Sequence, residues 1–567
     1  MFKEFITQRI KRGLVRRLNN IKIVSVAREV ARKEPQPSGA PIVFFKASTG
    51  IDDLSWNAGF HLLTTWALRL KGIPVAYFAC NAGMSKCVLG TNRDDVYKGM
   101  PCKACVAQSR ALYTGIQVHT YTGTHVNWFG LDRDAQLESR IAQLSLSELM
   151  KFEWPLDSVI ASEAKQSPSE AEGVASSQQT LLATTIPLGA LCLPGLRWVL
   201  RIHHLTDDEP TRHLLREYIL SAWNVARQFG DFLDRTQPRA VVVFNGQFFP
   251  EAAARLIAQR RGIRVLTHEV GLQPATAFFT EGEATAYPIA IPESFEMTEE
   301  QNAKLDAYLA KRFQGDFTMA GIKFWADMQG LDDAFLRKAA GFQQIVPIFT
   351  NVIFDTSQPH ANTVFEDMFA WLDMCLEVIR ENRDTLFVIR AHPDETRVRK
   401  SSRETVEGWA TRREVQKEAN VVFVSPRAPL SSYELIQRSK FAMVYNSTIG
   451  LEASIMGAAV LCAGRARFTQ YPTVFFPQTA DEVRRKMKEF LGAKKIEVPP
   501  EFTRNARRFL YYQLFRTSLP FGDFLEPSVR TTQTRLKSFS LDKLVGSDAV
   551  KVVLKGLLEG GDFLLAE

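Results

Sequence analysis

Two rhythms of apolar and polar residues alternate along the chain. Short, mainly apolar runs occur at residues 42–46, 73–78, 240–244, 263–267, 344–349, 386–389, 421–424, 441–445 and 459–463. Runs of that length with no polar face predict strands buried on both sides, as in parallel sheets. Between them, residues 56–70, 211–236, 250–261, 365–380 and 481–491 repeat apolar positions every three to four residues, which predicts amphipathic helices. Lys71-Gly72 and Gly262 stop two of these helices, and Pro250 opens another in its favoured first turn. Alternating strand and helix predict an α/β architecture.

Residues 1–33 keep the helical period and add charge. Phe2, Phe5, Ile6, Ile10, Leu14, Val15 and Leu18 share one face, and ten Lys/Arg stand against two Glu. That surplus of +8 equals the net charge of all 567 residues, so the remainder is formally neutral. A neutral globular part has no excess to lay along a phosphate backbone, which argues against nucleic acid as a partner. The basic helix suits either an anionic membrane surface or its own domain, with a solvated basic face. No apolar run reaches the ~20 residues of a membrane span, and the N-terminus has no signal-like apolar core. The expectation is a cytoplasmic protein, peripheral at most to the inner face of the membrane.

Polar chemistry gathers where the predicted strands end. After 441–445 come Asn446, Ser447 and Thr448, then a helix with Gly450 and Glu452 in its first turns. Hydroxyls, a glycine and free N–H groups at a helix start form an anion site, although an ordinary capped helix has the same spacing. After 386–389 come Arg390 and His392-Pro393, a cation and an imidazole at a strand tip, where open α/β sheets bind ligands. In the first half, 240–244 leads to Asn245, Gln247 and Glu251, and 263–267 leads to His268 and Glu269. A general base would be sought among these groups.

The blocks PIFTNVIFDTS (347–357), RAHPDE (390–395) and YNSTIGLEASIMGAAVLCAG (445–464) resemble the capsule polysaccharide biosynthesis glycosyltransferases, which include enzymes that add Kdo-type sugars. Glycerophosphotransferases of teichoic-acid synthesis look similar in the same places. The resemblance is specific over 345–475 and looser over 40–290. It implies a GT-B-like α/β fold, with two Rossmann-like, doubly wound domains facing a cleft. The division expected is a basic helix and linker (1–35), an acceptor-side domain (36–300), a nucleotide-sugar domain (301–500) and a helical tail (501–567). The activity implied is transfer of a sugar from a CMP- or UDP-linked donor to a growing capsule or surface polysaccharide, either a glycan or a lipid-linked glycan. In that scheme His392 and Arg390 neutralise the donor phosphate. Asn446, Ser447, Thr448 and Gly450 hold phosphate or nucleotide oxygens, and Glu452 takes a ribose hydroxyl. His268, Glu269 or Glu251 supplies the base, and no metal cofactor is required. A glycerophosphotransferase of the same fold, or a non-catalytic scaffold in polysaccharide export, remains the alternative.

Two stretches stand outside this scheme. Cys80, Cys87, Cys102 and Cys105 place four of the seven cysteines within 26 residues. They suit a structural zinc, an iron–sulfur cluster or reduced structural thiols. Residues 157–186 are rich in Ala, Ser, Glu and Gln and read as a disordered insertion, flanked by Pro-Leu at 155–156 and again at 187–188. Its removal together with one Pro-Leu copy leaves the continuous sequence KFEWPLGALCLPGLRW. The chain contains no GxGxxG, no P-loop, no HExxH and no GxSxG, so those nucleotide and hydrolase classes drop out.

Overall fold

A computed structural model of the chain describes residues 2–47, 51, 53–117, 124–156, 185–314, 318–319, 322–323, 329–397, 401–530 and 532–567. The first domain opens with helix α1 (Phe2–Lys33). Its sheet is built from β1 (Ile42–Lys46), β2 (Val75–Cys80), β3 (Thr124–Phe129), β4 (Ala240–Phe244), β5 (Arg264–Val270) and β6 (Thr276–Thr280). The order is β3-β2-β1-β4-β5-β6, parallel through β5, with β6 returning antiparallel. β1 is buried along its whole length, as the run IVFFK requires when helices cover both faces. Val43 and Phe45 join the core formed with helix Glu209–Thr236, while Ile42 and Phe44 join the core on Trp56–Leu70.

The second domain carries β7 (Gln344–Phe349), β8 (Thr385–Arg390), β9 (Val421–Val424), β10 (Ala442–Val444) and β11 (Val460–Cys462), ordered β9-β8-β7-β10-β11 and all parallel. Each sheet reverses its winding beside its own first strand, between β1 and β4 and between β7 and β10. That is the doubly wound pattern, which leaves a crevice at the carboxyl ends of the strands at each reversal. The two Rossmann-like domains and the cleft between them are as expected.

The segments near residue 300 and after residue 500 divide between these two domains. Helix Glu299–Phe313 puts Leu305 and Leu309 into the same core as Phe509 of helix Pro500–Tyr511, so both helices belong to the second domain. After a π-helical turn at Tyr512–Arg516, strand β12 (Leu519–Pro520) pairs antiparallel with β6 and becomes the edge of the first sheet. The hairpin Leu525–Pro527/Thr534–Leu536 and helix Asp548–Leu558 bury Leu525, Leu536 and Leu554 against the first domain. Residues 501–567 are therefore shared between the two domains rather than forming a separate tail.

Helix α1 docks through Asn19, Ile23, Ala27 and Val30, all buried and spaced by three or four residues. On its opposite face Ile10, Leu14, Leu18 and Ile21 are 57–66% exposed. Among the described residues no helix is long and apolar enough to cross a membrane. The proposed insertion lies outside the described residues over 157–184. Its end is corrected, because Thr185–Ile186 pairs antiparallel with Trp154–Pro155 and Ile186 is fully buried in the core.

Candidate active site

The carboxyl ends of the second sheet form one wall of the interdomain cleft. β7 runs into Thr350 and Asn351, and β10 into Tyr445 and Asn446. Asn351 Nδ2 donates to Asn446 Oδ1 at 2.6 Å, tying the two strand ends at the reversal point. After β11 the chain turns at Gly464, where a Cβ would meet the ring and carbonyl of Tyr445 at 3.1 Å. That close approach brings Arg465 and Arg467 to the cleft. Together with Asp355, His360, His392, Ser447 and Thr448, and with Thr285 from the first domain, they line a cavity of about 300 Å³.

The anion-site residues read from the sequence separate into two groups. His392, Asn446, Ser447 and Thr448 line this cavity. His392 Nδ1 accepts the Asp394 N–H at 3.2 Å, which leaves the ring proton on Nε2. Burial pushes the imidazole below its ordinary pKa, so at neutral pH it is an uncharged donor. Arg390, Gly450 and Glu452 do not line the cavity. Arg390 is 4% exposed; its guanidinium donates to the Ala428 carbonyl at 3.4 Å, and burial pulls it down to about 10. Gly450 packs on β10, where a Cβ would meet Val444 at 2.9 Å, so its small size serves helix–strand contact. Glu452 is turned inward, with Oε1 2.5 Å from Arg312 and Oε2 accepting from the Tyr433 hydroxyl at 2.5 Å. The ribose role that the resemblance implies for Glu452 is corrected to a buried ion pair.

The first domain forms the facing wall. β4 ends in a sharp turn at Asn245 and Gly246, with φ of 57° and 83°, both left-handed. Asn245 Oδ1 accepts the Gln247 N–H at 2.8 Å, and its Nδ2 donates to Glu269 at 3.2 Å. The turn presents Gln247, whose Nε2 donates to Glu283 and lies 3.1 Å from His360 Nε2. Glu283 also holds Arg255 at 2.5 Å and His360 Nε2 at 3.0 Å. Against the pull of burial, the hydrogen bond with His360 and the charge of Arg255 keep Glu283 below the usual carboxylate range.

The base candidates read from the sequence fare unevenly. His268 is in the domain core, packed against Phe60, Phe244 and Phe279, and its Nε2 bonds His61 Nε2. Burial pushes it well below its ordinary pKa, and it does not reach the cleft. Glu251 is buried near Lys46; burial pushes this carboxyl up to about 8 and the ammonium down to about 7. Glu269 is half-buried and raised by burial, and it lies close enough to the cleft to feel the charge of Arg467.

The residues that sequence reasoning missed are His360, Glu283, Arg465 and Arg467. The two arginines had a signal, a basic pair directly after a predicted strand. Glu283 and His360 had none, because they come from loops 77 residues apart in different domains. Another missed contact closes the domains on one side. His204 Nδ1 lies 2.6 Å from Glu404 and its Nε2 lies 2.9 Å from Asp367. Hydrogen bonds to Asp367 and Glu404 raise His204 to about 10.

The four cysteines singled out in the sequence come together at a second, smaller cavity in the first domain, and none of the seven forms a disulfide.

Comparison with known proteins bears on the same region. Residues 326–488 match the family model described as capsule polysaccharide biosynthesis protein. The match falls on the second domain, where the sequence resemblance is specific. Among solved structures the chain is similar to the KpsC beta Kdo 2,4 transferase of Thermosulfurimonas dismutans, at 11% identity over 50% of this chain and 80% of that one, with a TM-score of 0.32. It is similar to the KpsC beta Kdo 2,7 transferase of that organism at 12% identity, over 58% and 89% of the two chains, with a TM-score of 0.30. The Neisseria meningitidis UDP-GlcNAc 2-epimerase bound to UDP-GlcNAc is similar at 17% identity, over 52% and 81%, with a TM-score of 0.23. No curated protein sequence matches the chain.

Proposed function

We propose that the chain is a glycosyltransferase that moves a sugar from a nucleotide-activated donor to a growing capsule or surface polysaccharide. The observation that carries this reading is the interdomain cavity of about 300 Å³, lined by His392, Asn446, Ser447, Thr448, Arg465 and Arg467 at the second sheet's reversal point. The family match over 326–488 supports it. Breaking a sugar–phosphate bond develops negative charge on the departing nucleotide, and donors already fixed in the site stabilise that charge without reorganising. His392 contributes a neutral Nε2–H, and the two arginines contribute full positive charge without a metal cofactor. Across the cleft, His360 of the second domain is oriented by Glu283 of the acceptor-side domain, the arrangement of a general base and its positioning carboxylate. Helix α1 would hold the protein at the cytoplasmic face of an anionic membrane through its exposed apolar stripe and the basic residues beside it.

Thermal-shift measurements with CMP-, UDP-, GDP- and CDP-linked sugars and CDP-glycerol identify the donor class. With the donor known, His392→Ala should lower turnover by ~10²–10³, the usual loss for one donor to a developing anion, with a smaller change in donor affinity. Near-full turnover of His392→Ala would remove the phosphate role. Stabilisation by CDP-glycerol alone would favour the glycerophosphotransferase. Binding of none, with no turnover, would leave the export scaffold.

A further inference from the structure

The cysteine cavity is separate from the cleft and plays no part in the proposed transfer. Cys80 ends β2 and Cys87 lies in the excursion that follows; Cys102 and Cys105 sit in the first turns of helix Cys102–Gln117. All four line one cavity, whose other walls are apolar or sulfur-bearing, among them Met84, Met100 and Val106. The backbone is shaped around two of the sulfurs. The Gly83 N–H donates to Cys80 Sγ at 3.3 Å, and the Gly90 N–H donates to Cys87 Sγ at 3.3 Å, each from three residues on. The first of these turns passes through Ala82 at φ 55°, a left-handed conformation that costs a non-glycine residue energy. Gly83 is pressed against Phe129, where a Cβ would meet the ring at 2.3 Å, and its carbonyl accepts from Asn224 at 2.7 Å. Two amide N–H groups are thus fixed on sulfur, and the other two cysteines open a helix.

The spacing of the sulfurs selects the kind of group they suit. One zinc at 2.3 Å from each of four thiolates brings the sulfurs within roughly 3.8 Å of one another. No three of these sulfurs lie within 4.8 Å of one another. They surround a cavity rather than converge on a point. A polynuclear cluster, with several irons and sulfides between its ligands, holds thiolates farther apart and favours an apolar shell.

We infer that Cys80, Cys87, Cys102 and Cys105 ligate an iron–sulfur cluster. The cluster joins the end of β2, the following excursion and the start of the next helix. Ala47 and Ile51 line the same cavity, so it also braces the chain just beyond β1, at the first sheet's reversal point.

The test uses the full chain, prepared anaerobically and reconstituted with ferrous iron and sulfide. Iron and acid-labile sulfide should be present in equal amounts, with a visible absorption band that bleaches on reduction by dithionite. The double variant Cys102→Ser/Cys105→Ser should lose iron, sulfide and the band, whereas Cys375→Ala, which changes a buried cysteine of the second domain, should keep all three. Zinc at one per chain without sulfide, or neither metal, would overturn the inference. So would undiminished iron and sulfide in the double variant. If that variant fails to fold, the metal and sulfide content of the wild type still decides the question.

Discussion

Glu452 gives the sharpest test of the structural reading. Its side chain and that of Arg312 are 4% and 8% exposed, with a closest N···O distance of 2.5 Å. Tyr433 donates to the second carboxylate oxygen, and Arg312 donates to the Tyr308 hydroxyl at 3.2 Å. Glu452→Gln keeps the volume and a hydrogen-bonding oxygen but removes the charge opposite a buried guanidinium. Breaking a buried pair from one side typically costs about 3–5 kcal/mol, a large share of the ~5–15 kcal/mol that holds a domain together. Urea denaturation followed by circular dichroism should show that loss. The double variant Arg312→Met/Glu452→Leu should recover most of it, because replacing both charges leaves no uncompensated ion. Donor affinity of Glu452→Gln, measured where the variant is still folded, should match the wild type. The opposite pattern, stability within ~0.5 kcal/mol and weakened donor binding, would refute the ion-pair assignment and restore the ribose role.

Three further outcomes follow from other parts of the molecule. The His204 pKa is raised to about 10, so its contribution to domain closure is full below its ordinary value near 6.5 and is lost as pH rises toward 10; stability measured from pH 6.5 to 10 should fall more in the wild type than in His204→Gln, and equal slopes would remove the latch. Deleting 155–186 should leave donor binding intact, because Trp154 and Ile186 stand opposite each other and only about one strand spacing, ~5 Å, must be bridged to Pro187; the loss of buried Ile186 should lower stability by about 1.5–3 kcal/mol, and failure to fold would show that the segment is structural. Leu14→Ser/Leu18→Ser should keep the melting temperature, since both residues are exposed, yet lose co-sedimentation with anionic vesicles, and undiminished sedimentation would refute the membrane role of α1.

The sequence by itself determined the strands and much of the chemistry at their ends. A strand covered on both faces is apolar through its centre, so β1, β4, β7 and β8 are visible in windows of a few residues. His392, Asn446, Ser447 and Thr448 follow such strands directly, and chain connectivity alone places them at the carboxyl edge. Their neighbours show what that logic leaves open. Arg390 is only two residues from His392, yet its guanidinium is buried against the Ala428 carbonyl. Glu452 is one helical turn beyond Thr448 and faces inward, because an arginine 140 positions earlier in the chain waits there. Which way a charged side chain turns depends on where its counter-charge lies, and that partner is fixed by packing between segments far apart in sequence. The pairing of Glu283 with His360 and the return of β12 to the edge of the first sheet have the same cause. Burial on both faces leaves its mark at each residue of a strand, whereas a contact between distant segments leaves none until the chain has closed.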